Sequence, residues 1–365
     1  MSVLSSLTDR ERLILLNLVP EIGSNRLRRL LAHFGSLGDI FNASAERLCD
    51  VDGIGPATAA ALVTGCKDLG KLEAEVKLLE QNRLTLLTYE EEVYPPALKS
   101  IYDPPIVIYV KGSLPSPDSP HVAIVGTRAA STYGLRVAEK LAYDLAQRGV
   151  AVVSGMARGI DAAAHAGALK AEAPTVAVFG SGLLRVYPPE HADLAERISQ
   201  TGAVISEFPL TFGPLPGNFP RRNRIVSGLC RAVVIVEAAR RSGAMITTDL
   251  ALEQGRDVLA VPGPIDAVGS QGTLQLIRQG AGLVTSADDV LEALGLLPAE
   301  SATEPPETAA GRLIVAHLDR RQPLDMDQLA ERTGLIMAEL SAELLRLELA
   351  RRIRQLPGKQ FLLAD

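Results

Sequence analysis

The sequence of 365 residues carries a formal net charge of −6 and is 47% hydrophobic and 22% charged. This length predicts two or three domains, and the composition is that of a globular chain with a large core, which excludes a disordered or fibrous protein. The negative charge excludes a surface that is basic all over, although it leaves room for a local basic groove.

The N-terminus and the cysteines bear on the cellular compartment. Charged residues occupy positions 9–12, where a secretory signal would need an apolar core, and no uncharged run approaches the length of a membrane span. Cys49, Cys66 and Cys230 are far apart in the sequence and form no C-x-x-C pair, so we predict buried free thiols in a reducing compartment. We expect a cytoplasmic protein that does not contact a membrane.

The first segment, residues 1–70, is predicted to be all-helical. The stretch Val51-Asp52-Gly53-Ile54-Gly55 is typical of a helix-hairpin-helix, whose turn leaves a helix N-terminus free to hold a DNA phosphate. A weaker copy of it surrounds Pro20. Because Asp50 and Asp52 would repel phosphate, DNA contact and a purely structural helical bundle remain equal alternatives.

Residues 71–118 are predicted to be an accessory segment. A helix with alternating charges is expected from Lys71 to Gln81, followed by strands at 84–88 and 106–110. The proline-rich loop from Leu114 to Pro120 is predicted to mark a domain boundary.

Residues 119–295 alternate between short apolar runs and helical patterns, which predicts a parallel sheet with right-handed crossovers. Ligands of such sheets bind at the carboxyl ends of the strands. The predicted strands are 122–125, 150–153, 175–179, 203–206, 233–236 and 258–261.

Glycine and arginine recur at these predicted strand ends. The first turn, Gly126-Thr127-Arg128, lacks the G-x-G-x-x-G spacing of a dinucleotide site. Arginine beside bare backbone N–H groups and a helix N-terminus instead favours a phosphate site; the alternative is that the glycines permit tight packing and the arginines are solvated. The predicted DNA-binding residues are Gly126, Thr127, Arg128, Gly155, Arg158, Gly159, Gly180, Ser181, Gly182, Arg185, Arg222, Asn223 and Arg224.

After a predicted linker at 296–310, residues 311–365 have the pattern of a winged helix: three helices and a β-ribbon. Glu339, Glu343 and Glu348 make the third helix acidic, which is unusual for a recognition helix. We expect protein contact or a weak auxiliary DNA role from this domain.

The motifs at 126–128, 154–161, 219–229, 236–243 and 261–264 resemble those of the DNA processing protein A family (DprA, also called Smf). The resemblance spans the whole Rossmann-like segment. It implies an extended Rossmann-like α/β core with N-terminal helix-hairpin-helix (SAM-like) and C-terminal winged-helix domains. It also implies a homodimer, formed through the Rossmann-like domain, that binds and protects incoming single-stranded DNA and loads RecA onto it in natural transformation and homologous recombination.

Two positions depart from the pattern of that family. Thr127 stands where members usually have serine, and it keeps the hydroxyl group. Pro189 stands where members often have lysine, which leaves Arg185 as the nearest replacement for a phosphate contact.

Catalysis is the competing interpretation. The chain has no G-x-S-x-G, P-loop or H-E-x-x-H motif. Asp161 and His165 share a helix face and are either half of a metal site or structural residues, and Glu207 and Glu237 at strand ends are possible acid or base groups. The alternative function is a nucleotide-binding hydrolase or sensor with a lysine-decarboxylase-like fold, although the P-G-G-x-G-T motif of that family is absent. We predict no enzyme activity, no metal and no cofactor.

Overall fold

A computed structural model describes residues 7–20, 22–297, 308–319, 322–349 and 352–363. The chain divides into two compact units, Met1–Leu296 and Leu297–Asp365. Within the described ranges, no helix has both the length and the apolar character needed to cross a bilayer. Most of the predicted linker, 298–307, lies outside the described residues.

The first unit begins with a helical segment, as predicted. Thr8 and Glu11 form a capping box that starts the first helix, and the buried residues Leu13 to Leu16 anchor that helix in the core. Cys66 is buried, which raises the pKa of its thiol to about 12, whereas Cys49 is exposed and its predicted burial was wrong. The helices are α1 (Asp9–Leu18), α2 (Ser24–Phe34), α3 (Leu37–Asn42), α4 (Ala45–Cys49) and α5 (Pro56–Gly65).

The segment at 71–118 does not stand apart from the sheet that follows it. It holds α6 (Leu69–Gln81), β1 (Thr85–Thr88), α7 (Pro96–Lys99) and β2 (Val107–Gly112). β2 pairs with β1 on one side and, antiparallel, with a later strand of the Rossmann-like segment on the other. Its strands therefore extend the main sheet, because an apolar strand edge is covered best by pairing.

The main sheet has nine strands in the order β1-β2-β6-β5-β4-β3-β7-β8-β9. The six predicted strands are confirmed with boundaries that shift by no more than one residue, and the four residues of each of β4 to β7 are all buried. The later strands are β3 (His121–Val125), β4 (Ala151–Ser154), β5 (Thr175–Val178), β6 (Ala203–Ser206), β7 (Ala232–Ile235), β8 (Asp257–Ala260) and β9 (Gly282–Leu283).

The chain runs from β3 outward through β4 and β5 to β6, then returns to place β7 on the other side of β3. This reversal between β3 and β7 is a topological switch point, where parallel sheets open a crevice for ligands. The intervening helices are α8 (Thr132–Ala146), α9 (Ile160–Lys170), α10 (Ala192–Thr201), α11 (Asn218–Gly228), α12 (Gly243–Glu253), α13 (Gln271–Arg278) and α14 (Ala287–Ala293).

The second unit is a winged helix built around Ile314, Leu329, Leu340 and Leu344. The three predicted helices and the ribbon are confirmed, and a two-residue strand adds a third member to the ribbon. Two residues are too few for a period-2 pattern to be recognised in the sequence. The elements are α15 (Ala309–His317), β10 (Leu324–Asp325), α16 (Met326–Thr333), α17 (Met337–Leu349), β11 (Ile353–Leu356) and β12 (Gln360–Leu363).

Candidate nucleic-acid interface

A cavity of about 630 Å³ opens at the topological switch point. Its walls come from the loops after β3, β4 and β5 and from the first turns of α9, α11 and α12, so segments distant in sequence converge on it. The lining residues include Gly126, Thr127, Arg128, Gly155, Ala157, Asp161, Tyr187, Phe219, Arg222, Asn223, Ser242, Gly243 and Thr247.

Arg128 is the exposed cation of this cavity. Its guanidinium carbon lies 5.3 Å from the ring centroid of Phe219, and the Phe219 ring lies 5.5 Å from that of Tyr187. Among the described residues, no ion pair between Arg128 and a carboxylate is found. Arg128 therefore presents its charge to solvent while its planar head packs on an aromatic ring.

Arg222 has the opposite environment, because it is buried beneath the loop after β4. Its guanidinium donates hydrogen bonds to the carbonyl oxygens of Gly155 and Val178. Burial lowers the pKa of Arg222 to about 10, against which the charge of Asp161 acts. A Cβ atom on residue 155 would lie 2.7 Å from the guanidinium, so any larger residue there would displace the Arg222 head from its hydrogen bonds.

Asp161 organises the same loop from below. One of its carboxylate oxygens accepts hydrogen bonds from the backbone N–H groups of Gly155 (3.1 Å) and Ala157 (3.2 Å). Burial raises the pKa of Asp161, while Arg222 and these hydrogen bonds lower it. Asp161 and Arg222 thus hold the loop in shape from inside.

The turn after β3 is also tied to its neighbours. The N–H of Thr127 donates to the carbonyl of Glu237 (2.7 Å), and its hydroxyl accepts from the N–H of Ala129 (3.2 Å). Gly159 has a φ of +75°, and a Cβ there would lie 2.4 Å from the carbonyl oxygen of Thr127. At 126, a Cβ would lie 2.6 Å from Ile160. The close packing considered as the alternative role for these glycines is therefore present.

The turn after β5 carries Gly180, Ser181 and Gly182. The buried Ser181 hydroxyl donates to the carbonyl of Arg185 (2.6 Å), and the N–H of Gly182 donates to the carbonyl of Phe212 (2.9 Å). Among Gly180, Ser181, Gly182 and Arg185, only Arg185 is exposed. Its side chain is available to a ligand, whereas the Ser181 hydroxyl is already used.

Arg158 is exposed but has a partner. Its Nε lies 2.5 Å from Oε1 of Glu190, and this hydrogen bond raises the pKa of Arg158. Glu190 directly follows Pro189. An exposed ion pair of this kind is weak and exchanges readily for a phosphate.

Arg224 is committed to a buried charge network, and we do not include it in the site. Its Nη1 and Nη2 atoms each lie 2.8 Å from a carboxylate oxygen of Glu207, and its Nε lies 3.0 Å from Asp103. Arg221 adds a further bond to Glu207 at 3.0 Å. Ser24 at the start of α2 hydrogen-bonds Asp103, so the network links the helical segment to α11. Glu207 was considered a possible acid or base in the sequence analysis. In the structure it is an ion-paired carboxylate that is 4% exposed.

The other residues weighed for catalysis are likewise engaged. Glu237 accepts hydrogen bonds from the N–H (2.9 Å) and hydroxyl of Ser131, which caps α8. His165 contacts Thr175 through Nδ1 at 2.8 Å, and burial lowers its pKa to about 3. Neither glutamate lines the cavity. In the described part of the chain, no group of three or more His, Cys, Asp or Glu side chains could hold a metal.

Several residues that line the cavity were not among the predicted DNA-binding residues: Ala157, Asp161, Tyr187, Phe219, Ser242, Gly243 and Thr247. Tyr187 packs against Phe219 with the two rings tilted by 43° and is 37% exposed, and Ser242 and Gly243 lie at the start of α12 in the cavity wall. Ser242 comes seven residues after the end of β7 and stands at the N-cap position of α12, and it falls within the family-like motif at 236–243, which is the sequence signal that could have identified it.

Three family models match the chain along its length. One described as DNA recombination-mediator protein A covers residues 85–295, one described as the DprA winged helix domain covers 298–359, and one described as a SAM-like helix-hairpin-helix tandem covers 13–68. Protein Smf of Escherichia coli is 44% identical over 299 residues, which are 79% of this chain and 79% of that protein. DNA processing protein DprA of Streptococcus pneumoniae is 45% identical over 201 residues, covering 55% of this chain and 71% of that protein.

Solved structures agree with these sequence relatives. The X-ray structure of DprA from Streptococcus pneumoniae superposes with a TM-score of 0.68 at 34% identity, covering 78% of this chain and 98% of that one. A structure described as revealing the single-stranded DNA binding mode of DNA processing protein A from Helicobacter pylori has a TM-score of 0.53 at 31% identity, covering 58% and 95%.

Proposed function

The chain belongs to the DNA recombination-mediator protein A family, and from that premise we propose that it binds single-stranded DNA at the switch-point cavity and passes the strand to RecA. It acts without catalysis, as a homodimer, in natural transformation and homologous recombination. The Helicobacter pylori relative, whose structure is described by its single-stranded DNA binding mode, supports the first part of this proposal.

The observation that carries the proposal is the arrangement of Arg128 at the cavity. An exposed guanidinium on an aromatic ring, beside backbone turns and the N-termini of α11 and α12, offers both charge and a stacking surface. The charge can pair with a phosphate of the strand, and the aromatic surface can stack with the neighbouring base. Arg158 and Arg185 at the next two strand ends extend the positive edge away from the cavity.

The interface is expected to read the DNA backbone more than its sequence. Backbone turns and arginines contact phosphates, which are the same in every strand, and stacking on Phe219 or Tyr187 tolerates any base. We therefore expect affinities for an oligonucleotide and for its scrambled version to differ little.

The proposed dimer rests on the size of the positive edge, and the transfer to RecA rests on membership of the family. One copy presents one positive edge, and two copies would hold a second strand at high effective concentration. The surface around α13 suits pairing, because Ile265, Val268 and Leu283 are 89%, 66% and 52% exposed, beside partly buried Leu274 and Ile277. Light scattering on the full chain at micromolar concentration, with and without charge substitutions at Ile265 and Leu283, tests this pairing. A strict monomer with undiminished DNA affinity would remove the dimer from the mechanism.

The decisive experiment for DNA binding is a side-by-side titration with labelled single-stranded DNA, duplex DNA and a mononucleotide. We expect the single strand to bind most tightly. Binding of the mononucleotide alone would support the nucleotide-binding alternative and overturn the proposal.

Arg128→Ala is the matching variant. We expect a roughly 10- to 100-fold loss of affinity for the single strand, and a slope of log affinity against log salt that is smaller by about 0.7. Arg148→Ala is the control. Arg148 precedes β4 and therefore lies at the amino ends of the strands, opposite the cavity, where it is paired with Asp288. Equal affinity and slope in wild type and Arg128→Ala would contradict the placement of the strand.

A further inference from the structure

A second aromatic cluster lies beside the cavity, and it ends in an exposed ring. Phe208 follows β6 and is buried, and its ring lies 5.5 Å from that of Phe212 with an interplanar angle of 15°. The guanidinium carbon of Arg221 lies 5.4 Å from the Phe208 centroid. Phe212 itself is 38% exposed. The stack is thus anchored in the core and open at the surface.

The backbone places this stack next to the cavity. The carbonyl of Phe212 accepts the N–H of Gly182 at 2.9 Å, while the ring of Phe219 packs on Gly180, where a Cβ would lie 2.8 Å from it. Two residues of extended chain span at most about 7 Å. Phe212 and Phe219 are therefore attached to neighbouring points of one turn.

The loop between the two rings is held in place. The Asn218 side-chain amide donates to the carbonyls of Gly180 (3.1 Å) and Gly213 (3.4 Å). All residues from 211 to 217 are exposed, and Pro216 reaches the cavity rim. A strand leaving the cavity along this loop would pass over Phe212.

A single exposed phenylalanine is ordinary on a protein surface. Phe212 differs because its ring is already ordered by stacking on Phe208, so a ligand that stacks on it loses little side-chain entropy. A flat, preordered ring next to a phosphate-binding edge matches the platforms on which proteins stack bases of single strands.

We propose that Phe212 is a second stacking position, which takes a base of the same strand a few nucleotides away from the cavity. The inference rests on the proposed function, since it requires a strand at the cavity. It adds a separate subsite, with Phe208 and Arg221 as positioning residues that hold the Phe212 ring. Every base has a suitable face, so the subsite lengthens the bound strand without selecting its sequence.

The test is a length series of labelled oligothymidylates, from about 4 to about 16 nucleotides, against wild type, Phe212→Ala and Arg128→Ala in the full chain. We expect Phe212→Ala to bind the shortest strands within about twofold of wild type and to lose roughly 5- to 100-fold with the longer ones. Arg128→Ala should lose affinity at every length.

Two controls address the ring itself. Phe212→Tyr keeps an aromatic face and should bind like wild type, and Leu215→Ala removes an exposed apolar side chain of the same loop and should have no effect. A fluorescent adenine analogue placed along the longer strand should be quenched by wild type and Phe212→Tyr but not by Phe212→Ala.

The outcomes separate the two proposals. Equal binding of wild type and Phe212→Ala at every length, or an equal loss at every length, overturns the second subsite while leaving DNA binding at the cavity intact. Failure of the wild-type chain to bind any strand overturns both. Thermal unfolding of each variant distinguishes loss of binding from loss of fold.

Discussion

The cavity rim and the buried network around Glu207 draw on the same short segment, 221–224 of α11, yet they use its side chains differently. At the rim, Asn223 faces the cavity beside the exposed Arg128. On the other side, Arg224 is 6% exposed and its charge is neutralised by Glu207 and Asp103. Arg222, also from this segment, is buried and bonded to backbone carbonyls.

The difference shows that a run of arginines at a ligand site need not be a run of ligand contacts. The exposed guanidinium of Arg128 can bind a phosphate at little cost in free energy, because it loses only contacts with water. If Arg224 turned toward a ligand, the buried carboxylate of Glu207 would lose two of its hydrogen bonds and keep only Arg221, and Asp103 would lose its ion pair, which costs several kcal/mol. In this region, one side of α11 faces the cavity and the other connects the helical segment to the sheet.

The largest expected effect is a loss of stability when the buried network around Glu207 is broken. Arg224→Ala should lower the free energy of unfolding by about 3–5 kcal/mol, because Glu207 and Asp103 lose their shared partner in the interior. Arg128→Ala, at the rim, should change it by less than about 0.5 kcal/mol. Urea unfolding followed by circular dichroism measures both. Similar stability of the two variants would contradict the distinction between the buried network and the cavity rim.

A pH titration probes the interior beneath the cavity. The pKa of the buried His165 is about 3 when folded, against an ordinary value of 6.5. Between these values the unfolded chain binds the extra proton, so the contribution of His165 to stability is complete above pH 6.5 and is lost as the pH falls. We expect a slope of up to about 1.4 kcal/mol per pH unit.

His165→Gln should flatten that slope, and His33→Gln on α2 is the matched substitution. Urea unfolding at several pH values between about 7 and 5 measures it, a range set by the ordinary histidine pKa. A slope that is the same with and without His165 would show that other groups govern the acid response.

The smallest expected effect is at the rim. Glu190→Gln removes the partner of Arg158 and one negative charge beside the positive edge. Because this exposed charge acts through water, affinity for single-stranded DNA should rise only about threefold at low salt and return to the wild-type value at high salt. Unchanged affinity at low salt would place the strand away from Arg158. Fluorescence anisotropy at two salt concentrations is sufficient.

Much of the fold was predictable because its signals are local. Buried parallel strands need continuous β-branched runs, and these runs located six strands to within one residue. The attachment of β1 and β2 to the far edge of the sheet was not predictable, since pairing between β2 and β6 joins residues about a hundred positions apart. A proline-rich loop indicates a turn in the chain but not whether the sheet continues beyond it.

The sequence by itself predicted which edge of the sheet carries the candidate site, because glycine and arginine recur at the carboxyl ends of the predicted strands. The reversal of strand order between β3 and β7 is a property of the tertiary structure. Only the tertiary structure decided which side chains face that edge. Arg128, Arg222 and Arg224 look alike in a sequence, and their environments differ because helix packing turns one toward solvent and two toward carboxylates or carbonyls in the interior. Burial is set by contacts between distant segments, and the free energy of a charge depends on that burial more than on its neighbours in the chain.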